Sequence, residues 1–235
     1  MKTKILALVA ILCLGTVSCS AKTEENSYYS PEESASTVSP TLESEVSPDE
    51  VVKLPDSAEA MKKSFADVPS IDEGPVISIS NTTAKAGGTA EVTVSVKGAD
   101  LNWSNCGIHL TYPDVLKCVY QDNDDLLLDY KKGIASEYNI GIVAMEWKKE
   151  NNPPEELISQ NLGTMFFTVM FSGNNGQDGD IITLYLKVPE DAESGTVYPI
   201  DFYYKDTDMF KNLEGDPSFE KYAFEHIQAG SITVE

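Results

Sequence analysis

The sequence predicts an all-β protein, a single jelly-roll β-sandwich of about nine strands behind a disordered N-terminal tether. Three observations predict it. From residue 76 onward, short segments alternate apolar and polar side chains, the period-2 pattern of strands with one buried face; Val92, Val94 and Val96 within 90–97 are the cleanest case. Turn-forming residues recur between these segments, as in Ala86-Gly87-Gly88, Asn175-Gly176 and Asp178-Gly179, which fits many short strands rather than strands alternating with helices. Residues 20–74 are instead rich in Ser, Glu, Pro and Thr. Such a chain buries too little apolar surface to offset the entropy of ordering.

The chain opens with a basic tetrapeptide, Met1-Lys2-Thr3-Lys4, then an apolar run over 5–14 and small residues ending in Thr16-Val17-Ser18-Cys19. A basic segment followed by a short apolar one is an export signal, too short to span a membrane. The ending is close to a bacterial lipobox, so residues 1–18 are expected to be a lipoprotein signal peptide and Cys19 the lipidated first residue. Cleavage near Ala21 with release of a soluble protein is the alternative. Residues 19–74 are then an acidic tether with a mean span on the order of 40 Å. Within it, 56–68 is a candidate short helix with Ala58, Met61 and Phe65 on one side.

The domain itself is expected over 75–235, long enough for one core and too short for two domains. Strands are predicted at 76–80, 90–97, 105–113 (Ile108, Leu110 and Tyr112 inward) and 115–120. The less regular stretch 122–160 contains one at 138–149, stopped by Asn152-Pro153-Pro154. Residues 163–188 read as a hairpin. Phe167, Val169 and Phe171 alternate with Thr168, Met170 and Ser172, and Ile182, Leu184, Leu186 and Val188 alternate with Ile181, Thr183, Tyr185 and Lys187. The glycines between the two runs allow the chain to reverse. Strands at 197–204 and 227–234 close the domain. Between them, 205–224 offers Met209, Phe210, Phe219 and Tyr222 to pack a loop or one helical turn.

The formal net charge is −21, and all 17 basic residues are lysine. Residues 75–235 carry 25 acids against 11 lysines, a net −14. Nucleic acid is therefore excluded as a partner, since phosphate binding needs a cationic surface. Catalysis finds no foothold: there is no nucleophile elbow, no His-Glu-x-x-His and no phosphate loop. His109 and His226 lack a nucleophile partner. No metal site is expected, because the cysteines and histidines lack ligand spacing and Asp122-Asn123-Asp124-Asp125 lacks the glycine and distal glutamate of a calcium loop. Cys106 and Cys118 could form a disulfide in an exported protein, and two buried thiols is the plainer reading.

Region 76–235 resembles a cohesin, the receptor module of cellulosome-type assemblies. The resemblance rests on an ordered series. ISISNTTAKAGG precedes EVTVSVKGA, and Asn105-Cys106-Gly107 leads into a strand ending Tyr112-Pro113-Asp114-Val115-Leu116. After the glycine-turned hairpin come Gly195-Thr196-Val197-Tyr198-Pro199-Ile200 and the closing Ala229-Gly230-Ser231-Ile232-Thr233-Val234. The 122–160 and 205–224 segments depart from the pattern and suggest a divergent, ruminococcal-like cohesin.

The resemblance implies a non-catalytic receptor that binds dockerin-bearing proteins, either plant-polysaccharide-degrading enzymes or scaffoldins. It would attach them to the outer face of the cell membrane. The receptor is expected to be a monomer with no cofactor of its own, calcium belonging to the dockerin, which the resemblance implies is a small calcium-loaded helical module. The contact face would include the strands at 105–112, 165–173 and 180–188. By position this gives Asn105 and Gly107 (where some relatives carry a carboxylate), with Met170 and Ser172. Alternation adds His109, Thr168, Thr183 and Tyr185. A carbohydrate-binding β-sandwich on the same anchor is the alternative, with Trp103 and Trp147 as candidate platforms; two tryptophans on separate elements argue against it.

Overall fold

A computed structural model describes residues 57–122, 124–147 and 153–235. The signal peptide, Cys19 and the tether up to residue 56 lie outside the described residues. Among the described residues, twelve strands form two sheets that face each other across a core, a jelly-roll β-sandwich. The first sheet has the order β1 (Val76–Ile79), β3 (Thr89–Lys97), β9 (Gly179–Lys187), β5 (Lys117–Cys118), with β6 (Tyr130–Lys132) also pairing β9. The second sheet runs β2 (Asn81–Ala84), β12 (Gly230–Val234), β10 (Val197–Phe202), β4 (Asn105–Pro113), β8 (Leu162–Met170), β7 (Gly141–Glu146), and β11 (Met209–Lys211) also pairs β4.

The inward sets foreseen from alternation line the core. Val92, Val94 and Val96 come from one sheet, and Ile108, Leu110, Phe167 and Val169 from the other, all 2% exposed or less. The expected hairpin does not form. β8 and β9 lie in opposite sheets, β8 between β4 and β7, β9 against β3. Two strands that each have one apolar face can bury those faces side by side in one sheet, or face to face across a core. Alternation is the same in both cases.

Tertiary contacts decide for the second arrangement. Gly176 is paired with Trp103 in an isolated bridge, and a Cβ on Gly176 would lie 2.1 Å from the Trp103 ring. The Asp178 carboxylate accepts from the backbone N–H of Gly98 (2.9 Å) and Ala99 (2.8 Å). The 171–178 connection is thus pinned to the end of β3 and the start of β4, and the chain crosses from sheet to sheet. Ile181, expected outward, is also buried, because β9 bulges there and a 3₁₀ turn at Ile134–Ser136 covers it. Ser136 Oγ donates to its carbonyl at 2.6 Å.

The opening strand expected at 76–80 is found as β1, and a second strand that was not foreseen, β2, follows it directly. β1 pairs β3 in the first sheet, while β2 crosses over and pairs parallel to β12. The predicted strand at 115–120 shrinks to β5 and a bridge at Tyr120. Residues 205–224 supply β11 and a nine-residue helix, α3 (Pro217–Glu225), whose N-cap Asp216 accepts from Ser218 N–H. A short helix, α2 (Glu155–Ser159), stands before β8.

The disordered tether, expected over 19–74, does not extend to residue 74. The helix anticipated within 56–68 is present as α1 (Ala58–Ser64). The Phe65 side chain just after it is buried against Tyr204 and Phe224. Lys221 Nζ donates to the carbonyl of Val68 at 2.9 Å, and Tyr204 donates to Ser64 at 2.8 Å. Composition marks this stretch as polar on average. One phenylalanine with a prepared aromatic site is enough to order it locally. Cys106 and Cys118 are free thiols, both buried, on strands of opposite sheets.

Candidate functional site

The outer side of the second sheet is built by three strands whose register aligns their outward residues in rows. Asn105 of β4 pairs with Met170 of β8, which pairs with Gly141 of β7. The next row is Gly107, Thr168 and Val143, with Met209 of β11 on the far side of Gly107. The third is His109, Phe166 and Met145. A row of this kind is a surface of neighbouring side chains about 5 Å apart. Five of the eight predicted contact residues (Asn105, Gly107, His109, Thr168 and Met170) therefore share one face, and Met170 is 42% exposed. Ser172 lies two residues past the end of β8, exposed on the connection.

Thr183 and Tyr185 do not join them. Both sit on β9, on the outer side of the other sheet, where Thr183 hydroxyl meets Thr93 at 2.9 Å and Tyr185 pairs with Glu91. The single contact face drawn from the supposed hairpin is split by the thickness of the sandwich.

Sequence reasoning missed Val143, Met145, Phe166, Trp147 and Met209. A signal for the sheet was available. Residues 101–113 and 157–177 contain no Asp, Glu or Lys, in a chain that is 23% charged. These two runs contain β4 and β8, the central strands of the face.

The face is closed at one end and open at the other. At the closed end α2 packs Leu157 against Leu162 and Tyr203, so Thr111 and Thr164 beneath are buried. Thr164 hydroxyl donates to the Leu110 carbonyl at 2.7 Å. Beyond it, His109 is 8% exposed and packs on the Phe166 ring at 4.6 Å. Its Nδ1 lies 2.5 Å from Asp208 Oδ1, and Asp208 Oδ2 accepts from the backbone N–H of His109 and of Lys205, each at 3.3 Å. Burial pushes the Asp208 carboxyl above its ordinary range, and the hydrogen bonds from His109 pull it back. Lys205 Nζ stands 3.6 Å from the centre of the Trp147 ring. Burial lowers its pKa, against the raising effect of Asp208 and Asp206.

This arrangement positions no nucleophile beside a base. His109 is committed to Asp208, and no cluster of three or more His, Cys, Asp or Glu among the described residues could hold a metal ion. Trp103 is fully buried, stacked on Phe210, so it cannot serve as a sugar platform. What the surface can do is exclude water from a partner: it is apolar, nearly uncharged and held on rigid strands.

A cohesin-domain family profile matches residues 75–207. Among solved structures, the chain is similar to a type III cohesin module from the cell-surface anchoring scaffoldin ScaE of Ruminococcus flavefaciens. The TM-score is 0.56 at 23% identity, covering 73% of this chain and 91% of that one. It is also similar to the cohesins in two type I cohesin–dockerin complexes from Clostridium thermocellum. One has a TM-score of 0.51 at 16% identity, covering 69% and 100%; the other 0.50 at 15%, covering 72% and 98%. A comparison with curated protein sequences finds no match. With the profile spanning more than half of the chain, the chain belongs to the cohesin family.

Proposed function

We propose that the domain is a receptor for dockerins and that the outer face of β4, β8 and β7 is its docking surface. As a cohesin the domain is a binding module and not an enzyme. The observation that carries the reading is the contrast between a domain of net −14 and a face whose rows hold Val143, Met145, Phe166, Met170 and Met209 with no carboxylate among them. Interface cores are depleted in charge and enriched in aromatic and methionine side chains. The partners would be dockerin-bearing enzymes of plant-polysaccharide degradation or scaffoldins, bound one to each monomeric receptor, with calcium supplied by the dockerin. A pull-down of dockerin-bearing proteins from the same organism, with and without a calcium chelator, tests this. A calcium-dependent partner is expected, and none across the full set would sink the reading.

The same proposal extends to the N-terminal part of the chain. Cys19, lipidated, would hold the receptor on the outer face of the bacterial membrane, and the acidic tether would keep the domain clear of that surface. Two or three acyl chains anchor stably, at about 0.8 kcal/mol per buried methylene. Cys19→Ser should move the protein from the membrane fraction to the medium. Continued lipid labelling of that variant would overturn the anchor.

A further inference from the structure

The third row of the docking face ends in a groove. Met145, Phe166 and His109 form its floor, Leu126 and Trp147 its walls, and Lys205 with Thr207 its lip; its volume is about 430 Å³. A cavity of ~150 Å³ holds a benzene ring, so the groove has room for more than one large side chain. Its lining is mostly apolar carbon. Glu146 also borders it, but its two carboxylate oxygens are taken by the Tyr112 hydroxyl, at 3.0 Å, and the Tyr120 hydroxyl.

Floor and lip are tied together. Asp208 holds the His109 ring from below and accepts the backbone N–H of Lys205 from the lip. The groove is therefore shaped before anything enters it, and little ordering cost remains for binding. Among the described residues, Lys205 is the one lysine lining it. Its ammonium rests on Trp147 and lies within ion-pair distance of no carboxylate among the described residues. Asp206 and Asp208 act on its charge from a longer range, which leaves the ammonium with room for a direct carboxylate partner at the mouth of the groove.

We infer that this groove is the anchoring subsite of the docking face: it seats a large aliphatic or aromatic side chain from a dockerin helix, and a carboxylate on the same helix pairs with Lys205. The inference rests on the dockerin reading and deepens it. A residue three or four positions from the anchor stands next to it on one helix face. An acidic neighbour of the anchor would thus arrive at the lip as the anchor enters the groove. The Trp147 ring behind the ammonium keeps water from one side of that pair, which strengthens it. Specificity follows: a dockerin with lysine at the neighbouring position would place two ammonium groups together over Trp147.

The test is titration calorimetry of the full chain with the calcium-loaded dockerin recovered in the pull-down. Thr207→Trp places a ring in the groove from an exposed lip position and is expected to weaken binding at least ~30-fold, as loss of a central anchor does. Lys205→Met keeps the apolar stem on Trp147, removes the charge, and should weaken binding about tenfold. That loss should vanish against a dockerin whose matching Asp or Glu is changed to Asn or Gln, the coupling a double-mutant cycle isolates. Unchanged melting temperatures certify both variants. If wild type binds and both variants bind within twofold of it, the groove is not a subsite and the dockerin reading stands alone. If wild type binds no dockerin, both fall together.

Discussion

The two outer faces of the sandwich are made from the same kind of strand and end up chemically opposite. On the first sheet, outward rows bring Glu91 beside Tyr185, Lys187 beside Thr89 and Lys117, and Ser95 beside Asp180, whose carboxylate accepts the serine hydroxyl at 2.7 Å. On the second, the corresponding rows hold methionine, valine, phenylalanine and threonine. Both faces cover equally apolar interiors. The difference is therefore not a requirement of folding. A strand face destined for water can carry charge at no cost, whereas one destined for a partner is better without it, since an unpaired charge buried at an interface is expensive.

The contrast can be broken most sharply by exchanging the character of one residue on each face. Met170→Asp should weaken dockerin binding at least ~100-fold, about 2.7 kcal/mol, with the melting temperature nearly unchanged because residue 170 is exposed in the free domain. Tyr185→Asp, on the other face, should bind within twofold of wild type. Equal losses from both, measured by calorimetry, would undo the assignment of function to one side.

A second measurement looks behind each face. Cys106 lies on the sheet of the proposed docking face and Cys118 on the opposite one. Burial raises the Cys106 thiol well above its ordinary value, and burial with the nearby Glu146 charge pushes Cys118 up to about 12. At pH 8 iodoacetamide should label both on the order of 100-fold more slowly in the folded protein than in urea, read by peptide mass spectrometry. The sign for stability follows. The folded state holds these protons more tightly than the unfolded one. For Cys118 the stabilisation is intact below about 9, and is lost as pH rises from there toward about 12. Rapid labelling of one thiol would mean that its sheet opens.

The smallest effect belongs to the polar face itself. Thr183→Val removes the hydroxyl contact with Thr93 and should cost about 1 kcal/mol in urea unfolding, with dockerin affinity untouched. A change in affinity would couple the two faces through the core.

Much of this was legible in the residues before any coordinates. The strands at 90–97, 105–113 and 197–204 are found within a few residues of where alternation put them. The match over residues 75–207 agrees with the family resemblance read from ordered turns and strand ends. The uncharged runs over β4 and β8 could have singled out the proposed docking sheet without any alignment. Less legible were the short elements. β2, β5, β6 and β11 have four residues or fewer, too few to establish a period, and they exist because a neighbouring strand offers unpaired backbone groups. The order in 57–74 was hidden for a related reason: composition averages over a segment, while Phe65 is held by three rings distant in sequence, those of Tyr204, Phe224 and, behind them, Phe202.

By itself the sequence determined most of the side chains that face inward, where the chain turns, and that the β-domain is acidic. Those properties are local, written in period, glycine and charge. Only the tertiary structure decided that 163–188 crosses between sheets instead of folding back on itself, because alternation specifies which face of a strand is buried and is silent about what buries it. That one decision removed Thr183 and Tyr185 from the face. It also left Asn105, Gly107, His109, Thr168 and Met170 beside Phe166 and Met145, while the pairing of β10 and β11 with β4 set Asp208 against His109 and Lys205 over Trp147 at the groove.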